Sequence, residues 1–145
     1  MALVLLAACD RPAPTTPPPL EGAAIGGPFD LVDSQGQPVR WSDFDGRWRM
    51  VYFGYTWCPD VCPFDLNRMM QGYRLWAEEN PDLADAVQPI FISIDPERDT
   101  PAVMKDHLTY FGVDAIGLTG TVEDTSAVAR QFRAQGRQAH LFTAV

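Results

Sequence analysis

The residues with the most chemistry in this chain are two cysteines close together in its middle. Cys58 and Cys62 are separated by three residues, and each is followed by a proline, in the segment Cys58-Pro-Asp-Val-Cys62-Pro63. Two thiolates on one turn can form a disulfide, exchange disulfides with another protein, or hold a soft metal ion. A structural zinc site is disfavoured, because tetrahedral zinc needs four ligands and the sequence contains no second closely spaced cysteine pair.

The two prolines constrain the geometry of this turn. A proline disfavours the α conformation for the residue before it, so we expect Cys58 and Cys62 to be extended and a helix to begin at Pro63. Cys62 would then lie near the helix N-terminus, where free amides and the positive end of the dipole favour a thiolate. The prolines and Asp60 predict an ordered, solvent-facing loop rather than two buried structural cysteines.

The cysteine turn joins a predicted strand to a predicted helix. Residues 48–55 are mostly β-branched or aromatic, which is typical of a strand buried on both faces, and we expect this strand to be central. Ligands gather at the carboxyl ends of strands in α/β folds, so this junction is favoured as a site. The helix after the turn ends near residues 80–81 and has one apolar face, made of Leu66, Met69, Met70, Tyr73 and Trp76.

The remaining patterns alternate between strands and helices. Residues 29–41 predict a hairpin with a turn at residues 34–37, where Gly36 is available for positive φ. This alternation predicts βαβ units and a mostly parallel sheet in one domain over residues 25–145. The later elements are a buried strand at 87–94, a helix at 101–111 capped by Thr100 and ended by Gly112, a strand at 116–119, and a helix at 122–133 capped by Thr121 or Asp124.

Length and composition limit the classes of function. The 145 residues allow one domain, and 46% hydrophobic with 21% charged residues is typical of a globular protein with a packed core. Acidic residues outnumber basic residues by 19 to 11, and the formal net charge of −8 opposes binding to nucleic-acid phosphates. We therefore do not expect a nucleic-acid partner.

The first 24 residues differ from the rest of the chain. Residues 2–8 are small and apolar, and the segment Leu6-Ala7-Ala8-Cys9 resembles a bacterial lipobox, in which the cysteine becomes the first mature residue and carries lipid. We predict a short signal segment over residues 1–8 and a proline-rich tether over residues 9–24, which is stiff enough to hold a domain off a membrane. The alternative is a disordered tail with an incidental cysteine.

Four segments of the chain are distinctive as motifs. They are Phe29-x-Leu-x-Asp-x-x-Gly36, Asp43-Phe-x-Gly-Arg47, Val51-Tyr-Phe-Gly-Tyr-Thr-x-Cys-Pro-Asp-Val-Cys-Pro63 and Ser93-Ile-Asp-Pro-Glu-Arg-Asp-Thr-Pro101. Through these motifs the chain resembles the Sco/SenC family of copper-binding proteins. The resemblance covers residues 27–133 and implies a thioredoxin-like, three-layer α/β fold with an added N-terminal hairpin. It also implies that the last hairpin and helix of that fold are missing from this sequence.

The resemblance also implies a site and a function. Cys58 and Cys62 would bind a copper ion through sulfur and cycle between dithiol and disulfide. The protein would act without catalytic turnover, as a metallochaperone or thiol reductant for the CuA site of cytochrome c oxidase. Its partner would be the CuA-bearing subunit or another copper chaperone, at the periplasmic face of the bacterial cytoplasmic membrane, where lipid on Cys9 anchors it. The alternative is an enzyme, a thioredoxin-like thiol-disulfide oxidoreductase.

Other candidate residues carry weaker signals. The family's third copper ligand is a histidine in an Asp-His-Ser segment, whereas His140 stands in Ala-His-Leu and is only a weak substitute. His107 lies in a predicted helix, and we expect it at the edge of that helix. Asp95 and Asp99 fall in a loop that the resemblance places near the site. For each of them, helix capping or pairing with Arg98 is the structural alternative.

Overall fold

Strands and helices alternate along the chain, and the strands form one six-stranded sheet with the order β2-β1-β5-β4-β3-β6. The computed structural model describes residues 22–110, 115–134 and 143–144. Two short 3-10 helices, Trp41–Phe44 and Pro81–Ala86, connect the main elements. These are β1 (Asp30–Asp33), β2 (Pro38–Arg40), β3 (Trp48–Gly54), α1 (Val61–Glu79), β4 (Val87–Ser93), α2 (Pro101–Tyr110), β5 (Ile116–Thr119), α3 (Val122–Gln131) and β6 (Thr143–Ala144).

The sheet is mixed, so the prediction of a mostly parallel sheet is wrong. β3 pairs with β4 and β4 with β5 in parallel, as expected of βαβ units. The hairpin, however, joins β5 antiparallel, and β6 joins β3 antiparallel with Met50 opposite Ala144. Because strands are added at both edges, β4 and β5 occupy the middle of the sheet, and β3, which we expected to be central, lies next to the edge. β6 was not predicted.

The N-terminal hairpin is confirmed. β1 and β2 pair antiparallel with Leu31 opposite Val39. The Asp33 carboxylate accepts hydrogen bonds of 2.8 Å from the amides of Gln35 and Gln37, and Gly36 has a φ of 77°. An aspartate that bonds the backbone two residues ahead, followed by a glycine with positive φ, is a local turn signal.

The three long helices are confirmed, with small changes at their ends. α2 is capped by Thr100, whose hydroxyl accepts from the Val103 amide at 3.4 Å, and the predicted end at Gly112 lies outside the described residues. Thr121 caps α3, since its hydroxyl accepts from the Asp124 amide. α3 ends two residues before the predicted boundary, because Arg133 is left-handed with a φ of 57°. Within the described ranges, no helix combines the length and the apolar character needed to cross a bilayer.

Two hydrophobic clusters cover the two faces of the sheet, which makes the fold three-layered. Side chains of a strand point alternately to opposite faces, so Val51 and Phe53 enter one cluster while Tyr52 enters the other. The first cluster packs the sheet, including strand β1 of the hairpin, against α3. The second packs it against α1 and α2, and it contains Tyr52, Cys58, Cys62, Leu66, Met69, Met70, Phe91, Met104 and Leu108.

Candidate metal centre

The two cysteines lie where β3 ends and α1 begins, as predicted, but their side chains are buried. Cys58 is 7% exposed and Cys62 4%, and both are free thiols. The flanking loop does face solvent, since Trp57 is 63% exposed and Pro59 and Asp60 are also exposed. The prediction of a solvent-facing loop is therefore confirmed, but the cysteine side chains, which we did not expect to be buried, are folded inward onto the second cluster.

The cysteine turn also provides the N-terminal cap of α1. The helix begins at Val61, two residues before the predicted start, and the side chain of Asp60 at the cap position makes no capping hydrogen bond. Instead, the Cys58 Sγ accepts a hydrogen bond of 3.4 Å from the Cys62 amide. Pro63 is tolerated as the third helical residue because first-turn amides need no intrahelical partner. The expectation that Cys62 lies before the helix in an extended conformation is therefore wrong.

The two thiols are neighbours, and they differ in acidity. Burial, together with the neighbouring Cys58, raises the pKa of Cys62 to about 11. Burial alone would also raise the pKa of Cys58, but hydrogen bonds from the Cys62 thiol, from two backbone amides and from the Tyr55 hydroxyl lower it below its ordinary value. The helix N-terminus thus favours a thiolate at Cys58 and not, as predicted, at Cys62.

Two tyrosines that the sequence analysis did not single out complete the surroundings of the thiols. The Tyr52 hydroxyl interacts with Cys62, and the Tyr55 hydroxyl interacts with Cys58. Burial, followed by the contact with Cys62, raises the pKa of Tyr52. Side chains alternate between the two faces of β3, and this alternation places Tyr52 on the same face as the cysteines. Its position in the strand was the only feature of the sequence that could have identified it as a neighbour of the thiols. Each sulfur therefore has a neutral hydroxyl as a neighbour.

A shallow cleft lies beside Tyr55 on the solvent side. It has a volume of about 320 Å³ and is lined by Tyr55, Ile94, Asp95 and Arg98. Asp95 forms an ion pair with Arg98, and this pair raises the pKa of the Arg98 guanidinium, which lies 5.9 Å from the centre of the Tyr55 ring. The pairing alternative for Asp95 is therefore confirmed, and the residue also lies near the site.

The other candidate residues have separate positions. Asp99 is fully buried behind the turn, where its carboxylate accepts hydrogen bonds from Thr56 and Ser93. His107 is half-buried against Phe91 with 5.7 Å between ring centroids, and burial lowers its pKa. Within the part of the chain that the structure describes, no three His, Cys, Asp or Glu side chains group as a metal site would require. Cys9 and His140 lie outside the described residues.

This arrangement supports chemistry based on two sulfur atoms. Thiolate is a soft ligand that prefers Cu(I) to harder ions, and two ligands from one turn leave further coordination positions for a partner's ligands. The same pair can form a disulfide, since one thiol of lowered pKa next to a second thiol is the usual arrangement for thiol-disulfide exchange.

Comparison with known proteins gives matches to members of one family. The family model described as SCO1/SenC matches residues 17–141. The mouse "Protein SCO2 homolog, mitochondrial" is 44% identical over 115 residues, which are 79% of this chain and 44% of that protein. The chain spans between 36% and 44% of the length of the first three curated relatives that it matches.

Solved structures agree in fold. The chain matches ScoI of Bradyrhizobium japonicum, described with copper bound, with a TM-score of 0.68 and 43% identity over 76% of this chain and 68% of that chain. It also matches a SCO1/SenC family lipoprotein of Bacillus anthracis, with a TM-score of 0.64 and 26% identity over 74% of this chain and 64% of that chain. The fold is thioredoxin-like, as the resemblance implied. With the family model covering most of its length, the chain belongs to the SCO1/SenC family.

Proposed function

We propose that this chain binds copper through Cys58 and Cys62 and serves in the assembly of the CuA site of cytochrome c oxidase, as a metallochaperone or as a thiol reductant. The observation that carries the proposal is the pair of free, buried thiols at the N-terminus of α1, where the Cys62 amide donates to the Cys58 sulfur at 3.4 Å. Two sulfur ligands favour Cu(I), and a partner that supplies its own thiolates can displace them one at a time.

Family membership and the copper-bound relative support this role. A relative 43% identical to this chain is described with copper bound, and family membership favours the role in oxidase assembly that the resemblance implied. Delivery would proceed by ligand exchange, with Cu(I) passing between sulfur atoms and no change in its oxidation state. The CuA-bearing subunit or another copper chaperone is the proposed partner.

The test is Cu(I) binding by the reduced protein in competition with a chromophoric Cu(I) chelator. We expect one Cu(I) per chain in the wild type. The substitutions Cys58→Ser and Cys62→Ser should each weaken binding by more than the roughly 10–100-fold that is typical of losing a residue behind a ligand. Cys9→Ser is the matched control and should bind as the wild type does. Equal binding by wild type and Cys62→Ser would refute the proposal.

A thiol-disulfide oxidoreductase is the second candidate function. The observation in its favour is the difference in acidity, with the pKa of Cys58 lowered and that of Cys62 raised, because exchange needs one thiol that attacks and one that resolves. An oxidoreductase reduces a model disulfide such as insulin over many turnovers, whereas a chaperone does not. A rate that rises in proportion to protein concentration and persists beyond one equivalent would support the enzyme.

We also propose that lipid on Cys9 anchors the chain to the periplasmic face of the bacterial cytoplasmic membrane. In this proposal residues 1–8 act as a signal segment, residues 9–24 as a tether and residues 25–145 as the copper-binding domain. The lipobox-like segment and the similarity to a family lipoprotein support it. Labelled palmitate should be incorporated into the wild type and not into Cys9→Ser, which should be released into the soluble fraction. Labelling of both proteins would exclude lipid on Cys9.

A further inference from the structure

A carboxylate with no exposed surface lies directly behind the cysteine turn. Asp99 is 0% exposed, and its two oxygens accept four hydrogen bonds. The Thr56 amide donates to both oxygens at 3.2 and 3.1 Å, the Thr56 hydroxyl donates to Oδ1 at 2.6 Å, and the Ser93 hydroxyl donates to Oδ2 at 2.6 Å. A buried carboxylate is costly unless it is hydrogen-bonded, so these donors must stay in place while Asp99 stays buried.

Three of the four hydrogen bonds reach a single residue of the cysteine turn. Thr56 stands two positions before Cys58, inside the turn that the Cys58 amide closes onto the Tyr55 carbonyl at 3.3 Å. That closing bond is long, whereas the bond from the Thr56 hydroxyl to Asp99 is short, at 2.6 Å, and is buried, which makes it the stronger of the two. The orientation of the turn therefore depends more on Asp99 than on its own closing bond.

The same carboxylate joins this turn to the neighbouring parallel strand. Ser93 is the last residue of β4, is fully buried, and also accepts from the Asp95 amide at 3.0 Å. Asp99 itself stands two residues before α2 begins. The ends of β3 and β4 and the start of α2 are thus joined through one side chain, and the cysteine turn is fixed to the rigid centre of the sheet.

We infer that Asp99 is a positioning residue that acts through Thr56 to hold the cysteine turn in its two-sulfur arrangement. The inference rests on the proposed function, since it assigns a purpose to that same pair of sulfur atoms. Holding Thr56 keeps the Cys58 sulfur on the Cys62 amide, which favours the dithiol over the disulfide and presents both sulfurs to Cu(I) before binding. In this inference Asp99 makes no direct contact with either sulfur atom and positions both of them through Thr56.

The test removes the Thr56 hydroxyl and measures two properties of the full chain. Thr56→Val keeps the shape of the side chain and leaves the Asp99 oxygen without its short hydrogen bond. We expect Cu(I) affinity to fall by about 10–100-fold, the usual effect of losing a residue behind a metal ligand. In the metal-free protein we expect the dithiol-disulfide equilibrium with glutathione to move about tenfold towards the disulfide, which corresponds to about 30 mV.

Three further variants make the result decisive. Thr56→Ser keeps the hydroxyl and should recover wild-type behaviour in both measurements. Thr56→Ala lacks both the hydroxyl and the bulk, so it replaces Thr56→Val if that variant does not fold. Thr125→Val is the matched control, because Thr125 is also buried and its hydroxyl donates at 3.0 Å to the Thr121 carbonyl, on the other face of the sheet.

The outcomes separate this inference from the proposed function. A wild-type protein that binds no Cu(I) contradicts the proposed function, and the metal-free equilibrium then still tests Thr56. If the wild type binds Cu(I) and the Thr56 variants match it in both measurements, the inference is overturned. It is also overturned if Thr125→Val changes affinity and equilibrium as much as the Thr56 variants do, because the effect would then come from general loss of stability.

Discussion

Gly54, the last residue of β3, provides a sharp test of the packing behind the cysteines. A Cβ at this position would lie 2.7 Å from the Tyr52 Cε1 and 3.1 Å from the Phe91 Cε2. Both are ring atoms of fully buried side chains, which cannot move aside without displacing their neighbours. We therefore expect Gly54→Ala to lower the free energy of unfolding by about 1–3 kcal/mol, the usual cost of overpacking a core. For a chain of this size, that lowers Tm by roughly 2–12 °C.

Gly72 is the matched control, because a Cβ there meets nothing within 4 Å. It lies inside α1, where alanine is favoured over glycine, so Gly72→Ala should raise stability by about 0.5–1 kcal/mol. The assay is urea unfolding of the reduced, metal-free protein, with the m-value compared between variants. Both substitutions replace glycine by alanine, and their effects on the free energy of unfolding should have opposite signs. A Gly54→Ala protein as stable as Gly72→Ala would refute the reasoning.

Three further predictions concern ionisation and helix capping. Iodoacetamide should alkylate Cys58 before Cys62 near pH 8, because the pKa of the first is lowered and that of the second is raised to about 11; peptide mapping that gives equal rates would contradict this. Burial lowers the pKa of His107 in the fold, whereas the unfolded chain takes up a proton near the ordinary pKa of about 6.5. Stability should therefore fall as pH drops from 7.5 to about 5.5, and His107→Gln should reduce that slope, while an unchanged slope would exclude the histidine as its source. Thr121→Ala removes the cap of α3 and should cost about 1 kcal/mol in urea unfolding, and an unchanged midpoint would mean that this cap does not stabilise the fold.

Features set by nearby residues were predictable from the sequence. The hairpin turn follows from Asp33 and Gly36, and the α3 cap from Thr121, because in each case both bonding groups lie within four residues of each other. The apolar spacing that begins at Leu66 predicted the buried face of α1, with Cys62 as an addition. The pair of cysteines at the strand-to-helix junction was likewise visible, since strand and helix patterns meet there.

Features that depend on distant partners were not predictable. The strand β6 has only two residues, which are too few to show an alternating pattern in the sequence, and its partner β3 lies about 90 residues earlier in the chain. The burial of Cys58 results from the turn folding onto a core built by α1 and α2. Asp99 and Thr56 are 43 residues apart, so no local pattern links them. These are long-range contacts, and a single sequence carries no signal for them.

The cluster beneath the thiols contains three methionines, Met69, Met70 and Met104, whereas the opposite cluster contains branched and aromatic side chains such as Ile90. Unbranched thioether side chains change rotamer at low cost, so the packing under the cysteine sulfur atoms is adaptable. Copper and a disulfide require different distances between the two sulfur atoms, and the methionines can repack to accommodate that difference without a movement of the sheet. We expect the NMR signals of the methionine methyl groups to shift between the two states while that of Ile90 stays in place, and equal shifts on both faces would show that the whole sheet responds.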